Sequence, residues 1–158
     1  MSFEGKTVMV TGAAGNLGRA VADAFSGLGA SLVLIDLKDK GDEKGLFIPT
    51  DLLDQKSVAA AVEKAIARFG RIDVLCNIAG GFRMGPPVHE TADADWNFLL
   101  DLNARTVLHT ARAVVPRMLA PFPTTSGGRQ QCATASSPER PRRRCASSGS
   151  SSATTSGW

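Results

Sequence analysis

Apolar and polar positions along the first 120 residues follow two periods in turn, and each period marks a kind of element. Short, nearly continuous apolar runs fall at residues 7–10, 32–35, 46–48 and 72–76. Runs of this length, rich in Val, Leu and Ile and closed by Gly or Asp, suit strands buried on both faces of a parallel sheet. Between them the period lengthens to that of a helix. Leu17, Val21, Ala24, Phe25 and Leu28 recur at helical spacing after the first run, and Val58, Val62, Ile66 and Phe69 do so before the fourth. Asp54 is placed to cap the second of these helices and Gly70 to stop it. After a Gly- and Pro-rich loop over residues 80–90, Thr91 can cap a short helix carrying Trp96, Leu99 and Leu100. Asp93 and Asp95 sit favourably in its first turn. A last helix is expected from about Asn103 to Leu119. Its buried face would be Ala104, Val107, Leu108, Ala111, Val115 and Met118, with a kink at Pro116. Strands alternating with helices imply right-handed crossovers and a parallel sheet.

The pattern stops at residue 120. Residues 121–158 contain no Leu, Ile, Val, Met or Lys, hold nine Ser, and include the basic run at positions 140–144. Such a segment cannot bury enough apolar area to offset a chain entropy of about 1–2 kcal/mol per residue, so it is expected to be a disordered tail. Charge divides at the same place. Residues 1–120 carry thirteen Lys and Arg against fourteen Asp and Glu, a net charge of −1, whereas the tail carries five Arg and one Glu, a net of +4. The formal +3 of the chain is thus a property of the tail and says little about a nucleic-acid partner for the folded part. No stretch is apolar enough to span a membrane, and the N-terminus lacks a signal-peptide core. Cys76, Cys132 and Cys145 form no CxxC pair, and no metal site is expected. A cytoplasmic, reduced protein without disulfides follows, organised as a domain over residues 1–120 and a tail over 121–158.

Candidate chemistry lies at the strand ends. Between the first strand and first helix stands Thr11-Gly12-Ala13-Ala14-Gly15-Asn16-Leu17-Gly18. A diphosphate needs backbone N–H groups aimed at it with no side chain in the way, and glycines at a strand-to-helix turn supply that. Gly12, Gly15, Asn16, Leu17 and Gly18 are therefore candidate cofactor-binding residues. Asp36, 18 residues after Gly18, ends the second strand. A carboxylate there accepts hydrogen bonds from adenosine ribose hydroxyls and repels a 2′-phosphate, favouring NAD over NADP, although Lys38 and Lys40 lie close by. Asp36 would otherwise simply begin a polar loop. Asp51, with Leu52 beside it, ends the third strand and is placed either to meet the adenine amino group or to cap a turn. The whole fits a Rossmann-type doubly wound parallel sheet of strand order 3-2-1-4, incomplete in extent.

The glycine turn, Asp36, Asp51, the Asn77-Ile78-Ala79-Gly80 segment and Asn103 in Asp101-Leu102-Asn103-Ala104 together resemble the short-chain dehydrogenase/reductase family over about residues 3–120. The resemblance implies a structural role for Asn77 at the cofactor site and cofactor contact for Ala79 and Gly80. It also implies that Asn103 is the asparagine of a catalytic tetrad, supporting a water-linked proton relay. An alcohol or ketone would be the substrate, and dimers or tetramers are common in the family.

Two departures stand out. The glycine spacing Gly12-x-x-Gly15-x-x-Gly18, with Asn16 where classical members have Gly, resembles that of the extended members. More seriously, the family's chemistry uses a serine and a Tyr-x-x-x-Lys pair, whereas this chain has no Tyr and its last Lys is Lys64. His89 and His109 lack an orienting partner in the sequence and are assigned no role. The expectation is a cofactor-binding half, inactive alone, in which a reading-frame shift or misjoined exon has replaced the sequence after about Ala120. The alternative is a non-catalytic dinucleotide-binding or scaffold protein, whose basic tail would contact nucleic acid. A five-residue basic run without aromatics is more often a solvated cluster.

Overall fold

The computed structural model describes residues 2–38 and 44–120. Lys40, Cys132, Cys145, the basic run and the expected disordered tail lie outside the described residues. Four strands form one parallel sheet in the order β3-β2-β1-β4: β1 Thr7–Thr11, β2 Ser31–Asp36, β3 Leu46–Pro49 and β4 Val74–Asn77. This is the order expected from the sequence. The register brings Thr11 of β1 level with Ile35 of β2 and Asn77 of β4, so the carboxyl ends of the strands share one edge.

Alternate residues of each strand enter opposite layers, as the pleat requires. Met9, Val33, Ile35 and Ile48 meet Val58, Ala61, Val62 and Ala65 of α2 (Gln55–Phe69) and Val114 of α4 (Thr106–Leu119). Val8, Val10, Leu32 and Leu34 meet Val21, Ala22 and Phe25 of α1 (Asn16–Gly27), where Phe3 packs edge-on against Phe25 at 5.0 Å. Each buried Val, Leu or Ile contributes about 1.5–3 kcal/mol, so these two layers hold the sheet from both sides. Asp54 caps α2 by accepting the Lys56 N–H at 2.9 Å, and Gly70 ends it at φ +78°, both as the sequence indicates.

Four expectations are corrected. The fourth strand starts at Val74, because Asp73 is turned to β1: its carboxylate accepts the Thr7 N–H at 2.9 Å and pairs with Lys6 and Arg71. Thr91 does not cap the next helix. Its hydroxyl donates to the Pro87 carbonyl beside the 3-10 turn Val88–Glu90, and α3 (Asp93–Leu100) starts after Ala92. From there α3, a π-helical turn Asp101–Arg105 and α4 run on as consecutive helical segments through Pro116.

The third correction is the buried face of α4. The residues turned inward are Thr106, His109, Thr110 and Val114, while Val107, Leu108, Val115 and Met118 are 37–47% exposed. The polar stripe turns inward because two of its side chains find hydrogen-bond partners there, which offsets the cost of burying them. Thr110 Oγ1 donates to Asn77 Oδ1 at 2.7 Å, and His109 Nδ1 lies 2.9 Å from the Leu52 carbonyl oxygen. Leu17 also departs from its expected helix face: it is 65% exposed. Among the described residues no helix is long and apolar enough to cross a membrane, and no group of three or more His, Cys, Asp or Glu could hold a metal.

Candidate functional site

The glycine turn sits where the chain order reverses, between β1 and β4, at the carboxyl edge of the sheet. Open α/β sheets bind ligands at such switch points. Gly12 has φ +67°, and a Cβ there would lie 2.8 Å from the Ala79 N and Cα, so both conformation and space demand glycine. Thr11 closes the join: its Oγ1 accepts the Ile78 N–H at 3.1 Å and the Ala79 N–H at 3.2 Å. A Cβ on Gly18 would meet Ala13 Cα at 2.8 Å, so the first turn of α1 rests directly on the loop. That helix begins with no side-chain cap and no acidic residue in its first turn. The positive end of its dipole and its first N–H groups are therefore left to an anion.

The acids at the ends of β2 and β3 are built into the same wall. Asp36 accepts the Ala14 N–H at 2.9 Å through Oδ2 and the Leu37 N–H at 2.7 Å through Oδ1, tying the glycine turn to β2. An ionised carboxylate offers about four lone-pair sites, so two such bonds leave room for ligand hydroxyls. Asp51 accepts the Leu53 N–H at 2.9 Å through Oδ1, and its own N–H donates to Ser57 Oγ at 3.1 Å. The turn-capping alternative is thus realised, with Oδ2 still available to a ligand.

These groups line one cleft of about 450 Å³. Of the sequence-derived candidates, Gly12, Gly15, Asn16, Leu17, Gly18, Asp36, Asp51, Leu52, Ala79 and Gly80 all face it. The exposure of Leu17 is explained by that position. Asn77 and Asn103 do not line the cleft. Asn77 braces α4 through Thr110, whereas Asn103, in the π turn, holds the loop after β4. Its Oδ1 accepts the Gly81 N–H at 3.0 Å, and its Nδ2 donates to the carbonyls of Gly81 and Leu99, each at 2.9 Å.

Sequence reasoning missed Leu37, Thr50, Leu53, Ile78, Leu102 and Thr106, which also line the cleft. Most are apolar residues next to a singled-out polar one, so position beside the motif was the available signal. His109 was left without a role because its partner is 57 residues away. The signal was the Thr106, His109, Thr110 stripe at helical spacing in an otherwise apolar helix.

A doubly wound parallel sheet with a glycine turn at its switch point defines a Rossmann-type α/β protein. The chain belongs to the short-chain dehydrogenase family, whose model matches residues 6–129. It is 36% identical over 126 residues to the oxidoreductase UcpA of Escherichia coli strain K12, covering 73% of this chain and 48% of that protein. It is also 36% identical over 130 residues to the D-threitol dehydrogenase of Mycolicibacterium smegmatis, covering 74% and 49%. A crystal structure of the NADH-dependent reductase A1-R′ complexed with NAD superposes with a TM-score of 0.65 at 28% identity, covering 73% of this chain and 53% of that one. The chain spans about half the length of the curated relatives it matches.

Proposed function

We propose that the cleft binds a nicotinamide dinucleotide, NAD in preference to NADP, as the cofactor-binding part of an oxidoreductase acting on small alcohols or ketones. The residues fit such a group: the space beside Gly12 and Gly18 is closed to any Cβ, and the uncapped start of α1 faces a cleft with a carboxylate at each of two strand ends. Asn16, Leu17 and Gly18 would meet the diphosphate with their N–H groups. Asp36 would take the adenosine ribose hydroxyls, Asp51 and Leu52 the adenine edge, and Ala79 and Gly80 the far side of the cleft. The carrying observation is Asp36, a carboxylate tied to the glycine turn through the Ala14 N–H and facing the cleft, where it would repel a 2′-phosphate. When bound, the dinucleotide supplies the hydride chemistry. The relatives support this reading, one being named a D-threitol dehydrogenase and one structure holding NAD.

Proton transfer is a separate matter. The 158 residues include no Tyr and no Lys beyond Lys64, so the chain alone is proposed to bind cofactor without turning over substrate. That same absence favours a second reading, a dinucleotide-binding or scaffold protein without catalysis. Titrating the full chain with NADH and NADPH tests the first part. NADH should bind at least about tenfold tighter, a difference near 1.4 kcal/mol, and Asp36→Ala should narrow the gap. Equal affinity for the two would remove the NAD assignment, and binding of neither would remove the proposal. Turnover of NADH with a ketone panel by the chain alone would refute its catalytic incompetence and, with it, the second reading.

A further inference from the structure

His109 is a buried histidine that the proposed chemistry does not use, and its hydrogen bond leads back to the cleft. The residue is 7% exposed on α4, with Nδ1 2.9 Å from the Leu52 carbonyl oxygen. A carbonyl can only accept, so Nδ1 carries the proton in this contact. The Leu52 carbonyl belongs to the same planar peptide as the Leu53 N–H, and that N–H donates to Asp51 Oδ1 at 2.9 Å. The peptide is therefore gripped at both ends, by the imidazole on one side and the Asp51 carboxylate on the other. Two further bonds at this turn are local, from the Asp51 N–H to Ser57 Oγ and from the Asp54 N–H to the Asp51 carbonyl, whereas the His109 bond reaches across 57 residues. It anchors the turn to a different element.

We infer that His109 is a positioning residue for base recognition: by fixing the Leu52–Leu53 peptide it fixes the Asp51 carboxylate, and so selects a ligand base bearing an exocyclic amino donor. The inference rests on the proposed dinucleotide site and adds what controls its adenine end. Oδ1 is occupied by the Leu53 N–H, which leaves Oδ2 as an acceptor of set direction. A base with a carbonyl in place of the amino group would bring an acceptor against that oxygen and be rejected. If the peptide is free to rotate, the carboxylate loses its fixed direction and the selection weakens.

The test compares reduced NAD with its hypoxanthine analogue, which replaces the adenine amino group by a carbonyl, in fluorescence titrations of the full chain. Wild type should prefer the adenine form by about tenfold, in line with a single hydrogen bond to a charged group. His109→Leu should bring the ratio close to one, mainly by weakening the adenine form. His109→Asn, whose amide nitrogen can occupy the place of Nδ1, should keep most of the preference, while His109→Gln, which displaces the donor, should not. In an Asp51→Asn background the His109 substitutions should no longer change the ratio. Equal losses for both ligands would mean a structural role only and overturn the inference, as would a preference untouched by His109→Gln. If wild type binds neither ligand, the dinucleotide site itself has failed, whereas binding of both without discrimination defeats only the role of His109. Should His109→Leu fail to fold, the Asn and Gln pair, similar in polarity, decides the matter.

Discussion

Asp36 and Asp73 stand at opposite ends of the sheet and show how surroundings decide what a carboxylate does. Asp36 faces the cleft and keeps accepting capacity for a ligand. Asp73 is turned away from solvent, its side chain 8% exposed, and is engaged by the Thr7 N–H, Lys6 and Arg71. Burial pushes its carboxyl up, but the Thr7 N–H, Arg71 and Lys6 outweigh that and hold it below the usual carboxylate range. A lowered folded-state value means that the native protein holds fewer protons than the unfolded chain near pH 4. The stabilisation is therefore complete above the unfolded value of about 3.9 and is lost as pH falls through the lower folded value. Asp73→Asn should cost about 1.5–3 kcal/mol at pH 7, the range for a hydrogen bond to a charged group, with the difference shrinking below about pH 4. Urea melts at pH 7 and pH 3 measure this, and a cost that does not change with pH would contradict the assignment. At this scale the sequence was informative wherever the physical demand is local. The glycines and Asp36 lie within a strand-to-helix unit whose spacing carries the reason for each residue. Asp73 reads in sequence only as an interruption of an apolar run, because two of its partners, Lys6 and Thr7, lie more than sixty residues back, and His109 was silent for the same reason.

Among the elements, strands and α2 were legible because period, cap and stop all agree within a few residues. The α3–α4 run was not, since two signals there conflict. Apolar periodicity assigned Val107, Leu108, Val115 and Met118 to the interior, yet Thr106, His109 and Thr110 are buried, the last two bonded to Leu52 and Asn77. No periodicity rule detects the π turn Asp101–Arg105, within which Asn103 lies. Such turns are frequent where a helix serves a site. Here it sets Asn103 facing Gly81, with all three amide hydrogen bonds made to backbone. Asn103→Ala should therefore loosen the loop after β4 before it loosens the sheet. Amide hydrogen exchange at Gly81 should quicken by about tenfold or more, corresponding to loss of over ~1 kcal/mol locally, while β1 and β2 amides keep their protection. Unchanged exchange at Gly81, or equal acceleration throughout, would show that Asn103 does not anchor this loop.

Taken whole, the described residues leave two apolar surfaces without a partner. β4 pairs with β1 alone, so its other edge presents free backbone groups beside half-buried Val74, Leu75 and Cys76. On the α3–α4 run, Trp96, Phe98 and Leu100 are exposed together with Val107, Leu108, Val115 and Met118. A soluble monomer rarely exposes contiguous apolar area beyond a few hundred Å², and an unpaired strand edge is a template for another chain. The full chain should consequently self-associate at micromolar concentration, with a melting transition low for its size. The helix surface and the strand edge can be separated experimentally. Leu108 and Val115 are two turns apart and both over 40% exposed, so Leu108→Lys with Val115→Lys removes apolar surface without opening the core. If the helix face drives association, the double variant should shift sedimentation towards monomer with little change in the melt. If association persists, the β4 edge is responsible. A monomer at high concentration with a sharp melt above ~65 °C, beyond the ordinary mesophile range, would show that neither surface is a liability and that the four-stranded unit is sufficient in itself.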